Sequence, residues 1–401
     1  MIIGLASAFS RLDDGDERYL FLVDPGHTAW LEPFVFGPCS LLMTRENVAA
    51  PMARSGIRGA ARQVVKAAVP GPIWAAARSR LRPISRLPES DGSIERARVD
   101  VMHFPMQVGF RTAVPTIFAP QDLQHLHLPR FFSRGEIARR EATYRALCDR
   151  ASIVTVMTTW GRDDIVASYG LPLDKVLVVP PAPAIAAYDP PTDADMAATR
   201  ERLGPPERFA LYPAKAWPHK NHLGLVAALK TLRERGIEVP VVLTGAQGGL
   251  EVPAMAEAKA LGVADLVHFT GFVTPSELGA LYRLARIMIF PSLFEGWGLP
   301  VVEAFAIGLP VACSNATCLP AVVDGAAELF DPTDPAAMAD AMARVWGDDR
   351  LRERLIADGR DRAARFSWDR SARMFRACYR RLGGRELSAE DHALLDEPPL
   401  A

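Results

Sequence analysis

The chain has 401 residues, of which 49% are hydrophobic and 23% charged, and its formal net charge is -1. At roughly 100–200 residues per domain, this length favours two domains, each able to bury a core. The near-neutral charge excludes a chain built as a whole to hold nucleic acid through phosphate contacts. The five scattered cysteines lack zinc-type spacing and favour a reducing, cytoplasmic compartment.

The first half of the chain carries a weak α/β pattern. Strands are predicted at 19–23, 101–104, 116–118 and 153–156. No apolar run reaches the ~18–20 residues that span a bilayer, and the first residues lack the features of a signal peptide. We therefore predict an N-terminal Rossmann-like domain over residues 1–185 in a protein that is neither secreted nor membrane-spanning.

A basic stretch interrupts this domain. Between Asn47 and Pro88 there is no acidic residue, and basic residues recur at positions 54, 58, 62 and 66, so on a helix they would form one stripe. One interpretation is a surface, 54–86, that docks on anionic lipid headgroups at the inner face of the membrane. The other is a solvated helix face, and the sequence leaves both open.

Prolines concentrate between the two halves, which is typical of an exposed linker, and we place the domain boundary between 180 and 206.

After this boundary, apolar strands alternate with helical segments. Such a pattern predicts a parallel sheet covered on both faces, the doubly wound class. The second domain is assigned to 186–366. A helix at 367–382 and an acidic tail at 383–401, expected to lack fixed structure, follow it. Strands of the second domain are predicted at 239–244, 266–270, 287–290 and 310–313.

A glycine-containing loop and a helix lie between the last two of these strands. Pro300 suits the first position of a helix, whose positive end would face the loop. Gly296 and Gly298 let backbone N–H groups approach an anion closely. Glu295, and Glu303 in the first helical turn, can accept hydrogen bonds from the hydroxyls of a sugar and a ribose. The alternatives are an ordinary loop acid and a carboxylate favoured by the helix dipole.

Two lysines, Lys215 and Lys220, follow an apolar segment near residue 211 and precede a helix. Two cations at the mouth of a strand suit a diphosphate, whose charge must be neutralised as it leaves a sugar. Plain surface charge is the alternative.

Three segments resemble the glycogen-synthase-like family of retaining glycosyltransferases, family four of the GT-B type. Residues 295–303 match its Glu-x7-Glu signature. Residues 217–222, Trp-Pro-His-Lys-Asn-His, are similar to a segment of its mannosyltransferase-like members. Residues 122–132 resemble its Asp-x-Gln-His-x-x-x-Pro-x-x-Phe segment. The resemblance is strong over 208–381 and moderate over 116–179.

The resemblance implies two Rossmann-like domains facing a central cleft and a nucleotide-diphosphate sugar as donor, without a cofactor. We expect no essential metal, because lysines and helix N–H groups can meet the charge of the leaving group and no Asp-x-Asp motif lies at the end of a predicted strand. The resemblance makes Glu295 and His125 the catalytic residues, both directed to the donor sugar, and directs Glu303 to the ribose. The lysines would hold the diphosphate. Donor binding is implied for Lys215, Lys220, Gly296, Trp297, Gly298, Leu299 and Glu303.

The chain departs from the family pattern at several points. Lys215 stands where the family commonly has arginine, which would loosen the grip on phosphate. Ala321 stands where relatives tend to carry glutamate, and residues 45–91 have no counterpart. The first strand of the N-terminal domain and the glycine-rich loop after it are expected to be missing, through a misassigned start or a truncation.

These features favour a retaining hexosyltransferase, mannose-like in preference, with a saccharide or lipid-linked acceptor in cell-surface polysaccharide synthesis. The alternative is a catalytically degenerate GT-B partner or scaffold protein. A nucleotide-sugar epimerase of the same fold ranks last, because it does not predict the Glu-x7-Glu spacing.

Overall fold

The computed structural model describes residues 1–44, 87–184, 188, 190–245 and 250–401, so the predicted membrane-docking stretch lies outside the described residues. Two α/β domains follow each other along the chain. The strands are β1 (Tyr19–Val23), β2 (Cys39–Met43), β3 (Met102–Phe104), β4 (Thr116–Phe118), β5 (Ile153–Val156), β6 (Val176–Val178), β7 (Ala210–Pro213), β8 (Val241–Thr244), β9 (Val267–Gly271), β10 (Ile287–Phe290), β11 (Val311–Ser314) and β12 (Glu328–Phe330).

The α-helices of the N-terminal domain are α1 (Ile2–Ser10), α2 (Ser93–Arg96), α3 (Gln124–His127), α4 (Arg134–Arg150) and α5 (Thr159–Tyr169). Those that follow are α6 (Asp193–Leu203), α7 (His222–Glu234), α8 (Glu251–Ala260), α9 (Pro275–Leu284), α10 (Leu299–Ile307), α11 (Leu319–Val323), α12 (Pro335–Gly347), α13 (Asp349–Ala364), α14 (Trp368–Leu382) and α15 (Ala389–Asp396). No helix in the described part of the chain is both long and apolar enough to cross a membrane.

The N-terminal domain contains parallel strands only, as far as it is described. β3, β4, β5 and β6 pair in sequence order, and β1 pairs with β2 in a separate two-stranded sheet. Parallel neighbours need crossover connections, and α4 and α5 supply them between β4, β5 and β6. The predicted α/β class is confirmed, whereas the predicted absence of a first strand stays a prediction.

The C-terminal domain contains one parallel sheet in the order β12-β11-β10-β7-β8-β9. The three strands β8, β10 and β11 are buried along their whole length, as expected for a sheet covered on both faces. Successive strands run outward from β7 in one direction and from β10 in the other. The junction of β7 and β10 is therefore a switch point, where open α/β sheets bind ligands beyond the carboxyl ends of their strands.

The predicted linker is shorter than expected, because α6 occupies residues within it. Thr192 and Asp195 form a capping box at its start, and Gly204 ends it in a left-handed conformation. The helix packs against α9 of the C-terminal domain, where Arg202 forms an ion pair with Glu277.

Helix α14 packs against α1 and against the segment that leaves β6. The Trp368 indole N–H donates to the Pro183 carbonyl at 3.0 Å, and the Ser371 hydroxyl donates to the Pro180 carbonyl at 2.6 Å. Helix α14 therefore returns to the N-terminal domain.

The expectation that residues 383–401 lack fixed structure is wrong. Residues 389–396 form α15, and its acidic side chains pair with arginines of α14: Arg380 lies 2.8 Å from Asp391, and Arg373 lies 3.2 Å from Glu390. The acidic composition that suggested disorder instead supplies partners for a basic helix face, and Asp391 is almost fully buried there.

Candidate active site

The order of the C-terminal sheet brings the two charged loops together. Lys220 follows β7 and Glu295 follows β10, 75 residues later, and these strands are hydrogen-bonded neighbours. The Lys220 ammonium Nζ lies 2.5 Å from Glu295 Oε1, with side chains only 15% and 12% exposed. A lysine and a carboxylate are thus held at the switch point in surroundings where their charges are weakly screened.

Further contacts fix the backbone around this pair. The Tyr212 hydroxyl donates to the Lys220 carbonyl at 2.7 Å. Thr317 accepts from the Glu295 N–H at 3.1 Å and donates to the Glu295 carbonyl at 2.9 Å, while the Cys318 thiol donates to that carbonyl at 3.2 Å. Thr317 has a φ of 53°, a strained value for a β-branched residue. Sequence reasoning missed Tyr212, Thr317 and Cys318, because single residues outside the motifs gave no signal.

The glycine loop runs from Gly296 into α10, which begins at Leu299, with Pro300 second rather than first as predicted. Gly298 caps the helix with a φ of 88°, a conformation in which glycine has no steric cost. The Trp297 side chain is buried against Phe366 in the core, so only its backbone belongs to the loop. Backbone N–H groups at a helix start are well suited to bind an anion.

Glu303 lies in the second turn of α10, not in the first as predicted. Its carboxylate is nearly buried and accepts a hydrogen bond of 2.9 Å from the Tyr282 hydroxyl on α9. A buried carboxylate held by a hydroxyl donor keeps a defined direction, which a hydrogen bond to a ribose requires. Tyr282 is a further residue that sequence reasoning missed.

Lys215 lies apart from the Lys220 pair. Its ammonium sits 5.0 Å from the centre of the Trp217 ring. A cavity of about 260 Å³ opens near its backbone, at the carboxyl ends of β7, β8 and β9, with Thr244 and Glu251 in its wall. This cavity lies beside the switch point and suits the end of an elongated ligand whose charged part reaches Lys220.

His125 is not exposed to the cleft. Its side chain is 0% exposed, and Nε2 lies 3.0 Å from Glu141, which also accepts from the Tyr169 hydroxyl at 2.8 Å. Burial lowers the pKa of His125, although the Glu141 carboxylate opposes that shift. The structure thus gives His125 an internal partner on α4, and its catalytic role stays a prediction that this placement does not favour.

Other residues of the N-terminal domain face the glycine loop. A Cβ atom at Gly296 would lie 2.9 Å from the Gln121 carbonyl oxygen and 3.2 Å from Cβ of Asp122. Phe294, which is 2% exposed, packs against His127 and Trp160, with ring centres 5.2 and 5.5 Å away. The two domains therefore touch on both sides of Glu295, in a closed arrangement that limits access of water.

Within the described ranges, no group of three or more histidine, cysteine, aspartate or glutamate side chains could hold a metal ion. The prediction of metal-independent chemistry stays a prediction. The cations that the structure does bring to the switch point are lysines.

Comparison with known proteins supports the predicted family. Residues 195–362 match the model of the family described as "Glycosyl transferases group 1". The chain is 29% identical over 251 residues to O-antigen chain mannosyltransferase B of Escherichia coli, covering 62% of this chain and 65% of that protein. It is 32% identical over 253 residues to D-inositol 3-phosphate glycosyltransferase of Corynebacterium efficiens, covering 61% and 60%. The matches thus span less than two thirds of these relatives.

Among solved structures, sucrose-phosphate synthase of Thermosynechococcus elongatus aligns with a TM-score of 0.66 at 18% identity, over 95% of this chain and 92% of that one. This similarity establishes the fold, with two Rossmann-like domains of the GT-B type. The resemblance to family-four glycosyltransferases that was read from the sequence is therefore confirmed.

Proposed function

We propose that this chain is a retaining glycosyltransferase that moves a hexose, mannose-like in preference, from a nucleoside-diphosphate sugar to a saccharide or lipid-linked acceptor. The observation that carries the proposal is the meeting of Lys220, Glu295 and the Gly296–Gly298 loop at the start of α10. The cation and the helix N-terminus suit the diphosphate and the negative charge that develops on it, and the carboxylate suits the sugar.

The diphosphate would lie at the start of α10. Lys220 and the loop N–H groups would neutralise the charge that accumulates on the leaving phosphate as the glycosidic bond breaks. Lys215, on the loop between β7 and α7, would contribute a second cation. The cavity beside β8 and β9 would receive the nucleoside, with Glu303 directed to the ribose hydroxyls.

The sugar would lie between Glu295 and the N-terminal domain. A carboxylate beside the anomeric carbon stabilises the positive charge that the sugar acquires in the transition state. Attack of the acceptor on the face that the leaving group departs from keeps the anomeric configuration. Closure of the two domains around the sugar would keep water from taking the place of the acceptor.

The named relatives support the finer parts of the proposal. One is an O-antigen chain mannosyltransferase and the other acts on inositol 3-phosphate, so both names describe transfer of a sugar. The first favours a mannose-like donor and a role in cell-surface polysaccharide synthesis. That role would place the protein in the cytoplasm or at the inner face of the membrane, through 54–86.

A donor screen followed by product analysis tests the proposal. Thermal shifts would be recorded with GDP, UDP, ADP and dTDP and their common sugars, and the donor that binds would be incubated with candidate acceptors. The expected product keeps the anomeric configuration of the donor, as measured by NMR. Glu295→Gln should abolish transfer, whereas Glu234→Gln, on the exposed face of α7, should not. Binding of no nucleotide would favour the degenerate partner, and an inverted product would contradict retention.

A further inference from the structure

The loop after β4 places a second carboxylate at the proposed sugar site, in addition to Glu295. Gln121 and Asp122 form the part of the N-terminal domain that lies nearest Gly296, next to Glu295. Gln121 has a φ of 69°, a conformation that costs free energy in any residue with a side chain. Its side-chain amide donates to the Pro105 carbonyl at 2.6 Å, which holds the turn. Strained turns that the surrounding structure over-determines concentrate at functional sites.

The Asp122 carboxylate has one oxygen engaged and one available. Oδ1 accepts a hydrogen bond of 3.1 Å from the backbone N–H of Gln124, which fixes the direction of the side chain. Across the part of the chain that the structure describes, Oδ2 accepts no hydrogen bond. That oxygen is therefore available to accept a hydrogen bond from a hydroxyl group of a ligand.

Asp122 interacts electrostatically with Lys220 and Glu295 of the other domain. Burial raises the pKa of Asp122, and the Glu295 carboxylate adds to that rise, while Lys220 opposes it. Gly296 adjoins Glu295 in the chain and lies beside Asp122, so both carboxylates belong to the same part of the cleft.

We propose that Asp122 binds a hydroxyl of the transferred sugar from the N-terminal domain, opposite Glu295, so that the two domains hold the sugar between two carboxylates. The assignment rests on the proposed function, because it requires that a sugar occupy this cleft. It makes Asp122 a specificity residue: the donor must present a hydroxyl on the side opposite Glu295, and the contact is complete only when the domains are closed.

Asp122→Asn tests this contact, with Asp163→Asn as the matched control. Asparagine keeps the Oδ1 that accepts from Gln124 but replaces the acceptor Oδ2 with an N–H₂ donor. Asp163 is an exposed carboxylate of the same domain, on α5. For Asp122→Asn we expect kcat/KM for the donor to fall about 100-fold or more, since hydrogen bonds to charged groups are the strong ones. The Kd of the nucleoside diphosphate alone, held by the C-terminal domain, should stay within about twofold.

A series of deoxy donors identifies the hydroxyl. With the one donor that lacks the partner of Asp122, wild type and Asp122→Asn should have similar kcat/KM. Unchanged kcat/KM in Asp122→Asn would overturn the proposal, as would an equal loss with every deoxy donor, which indicates a structural role. If Asp122→Asn does not fold, Asp122→Glu takes its place with the same readouts. Failure of the proposed function is distinct, because the wild-type protein would then bind no nucleotide sugar.

Discussion

At the scale of single residues, the Lys220–Glu295 pair joins the two motifs that the sequence offered separately. The sequence predicted one residue for the phosphate and the other for the sugar, and the structure places their charged atoms 2.5 Å apart. Each charge lowers the electrostatic cost of burying the other. The proposed function places the junction of sugar and phosphate at this pair.

Gly296→Ala should block closure of the cleft. The added Cβ would lie 2.9 Å from the Gln121 carbonyl oxygen, a backbone atom that cannot move away by a side-chain rotation. Because a displacement of about 1 Å in a catalytic arrangement can cost 10²-fold, we expect transfer to fall by about 100-fold. The thermal midpoint should change little. Gly135→Ala, on α4 with open space around it, is the control, and equal activities of the two variants would contradict the close approach.

Most of the site residues that could be predicted from the sequence lie in the segments that resemble the family. Glu295, Glu303, Lys220 and the glycines were found because charge and loop chemistry occur together there. Asp122 and Thr317 were not identified, because their importance depends on contacts between loops that are far apart in the chain. The role given to His125 rested on its motif, and the structure directs its ring to Glu141 instead.

At the scale of elements, the strands that were predicted well are apolar along their length. β10 matches its prediction residue for residue, and β8 and β11 differ by two residues or fewer at each end. The strands β6 and β12 have three residues each, too few to show a period. Helices α6 and α15 were missed because polar, acidic sequences are typical of linkers. Arg202 of α6 pairs with Glu277 of α9, and the acidic side chains of α15 pair with arginines of α14, contacts that the sequence does not reveal.

The packing of α1 on α14 predicts a large effect of Gly4→Ala. A Cβ at Gly4 would lie 2.2 Å from the Trp368 ring, which is buried and held by its hydrogen bond to Pro183. Overpacking costs about 1–3 kcal/mol, more than the ~1 kcal/mol that alanine gains over glycine in a helix. Urea unfolding should show a loss of stability for Gly4→Ala. It should show none for Gly347→Ala, a glycine with open space, and a neutral Gly4→Ala would contradict this packing.

The buried His222 on α7 predicts that stability depends on pH. Burial lowers the pKa of His222 from 6.5 to about 4. Between these two pH values the imidazole is protonated in the unfolded chain and neutral in the folded chain. Stability should therefore fall with decreasing pH, by about 2 kcal/mol between pH 7 and pH 5 from this residue. The difference between the free energies of unfolding at pH 7 and at pH 5 should be smaller in His222→Asn than in wild type, by that amount. An identical pH dependence in the variant would contradict the assignment.

At the scale of the whole molecule, an aromatic cluster beside the Lys220–Glu295 pair contributes to the contact between the domains. Phe294 of the C-terminal domain packs on His127 and Trp160, and His127 is held by Asp164 at 2.7 Å. Phe294 directly precedes Glu295 in the chain. We therefore expect the packing of Phe294 to link closure of the cleft to the position of Glu295.

Trp160→Leu should weaken this coupling. Aromatic pairs contribute about 0.5–1.5 kcal/mol beyond area burial, so we expect kcat to fall by up to about 10-fold. The Kd of the nucleoside diphosphate should not change, because its contacts belong to the C-terminal domain. Trp30→Leu, an exposed tryptophan of the same domain, is the control for steady-state kinetics. A kcat equal to wild type would show that the cluster has no role in closure.

The central claim is that the switch point of the C-terminal sheet binds a nucleoside diphosphate through Lys220. Isothermal titration of the nucleoside diphosphate found in the donor screen into wild type, Lys220→Ala and Lys230→Ala tests it most directly. Lys230 is an exposed lysine on α7, paired with Glu234. Lys220→Ala should weaken binding by about 10-fold to 100-fold, since hydrogen bonds to charged groups contribute about 1.5–3 kcal/mol, and Lys230→Ala should bind as wild type does. Equal affinities of all three proteins would contradict the claim.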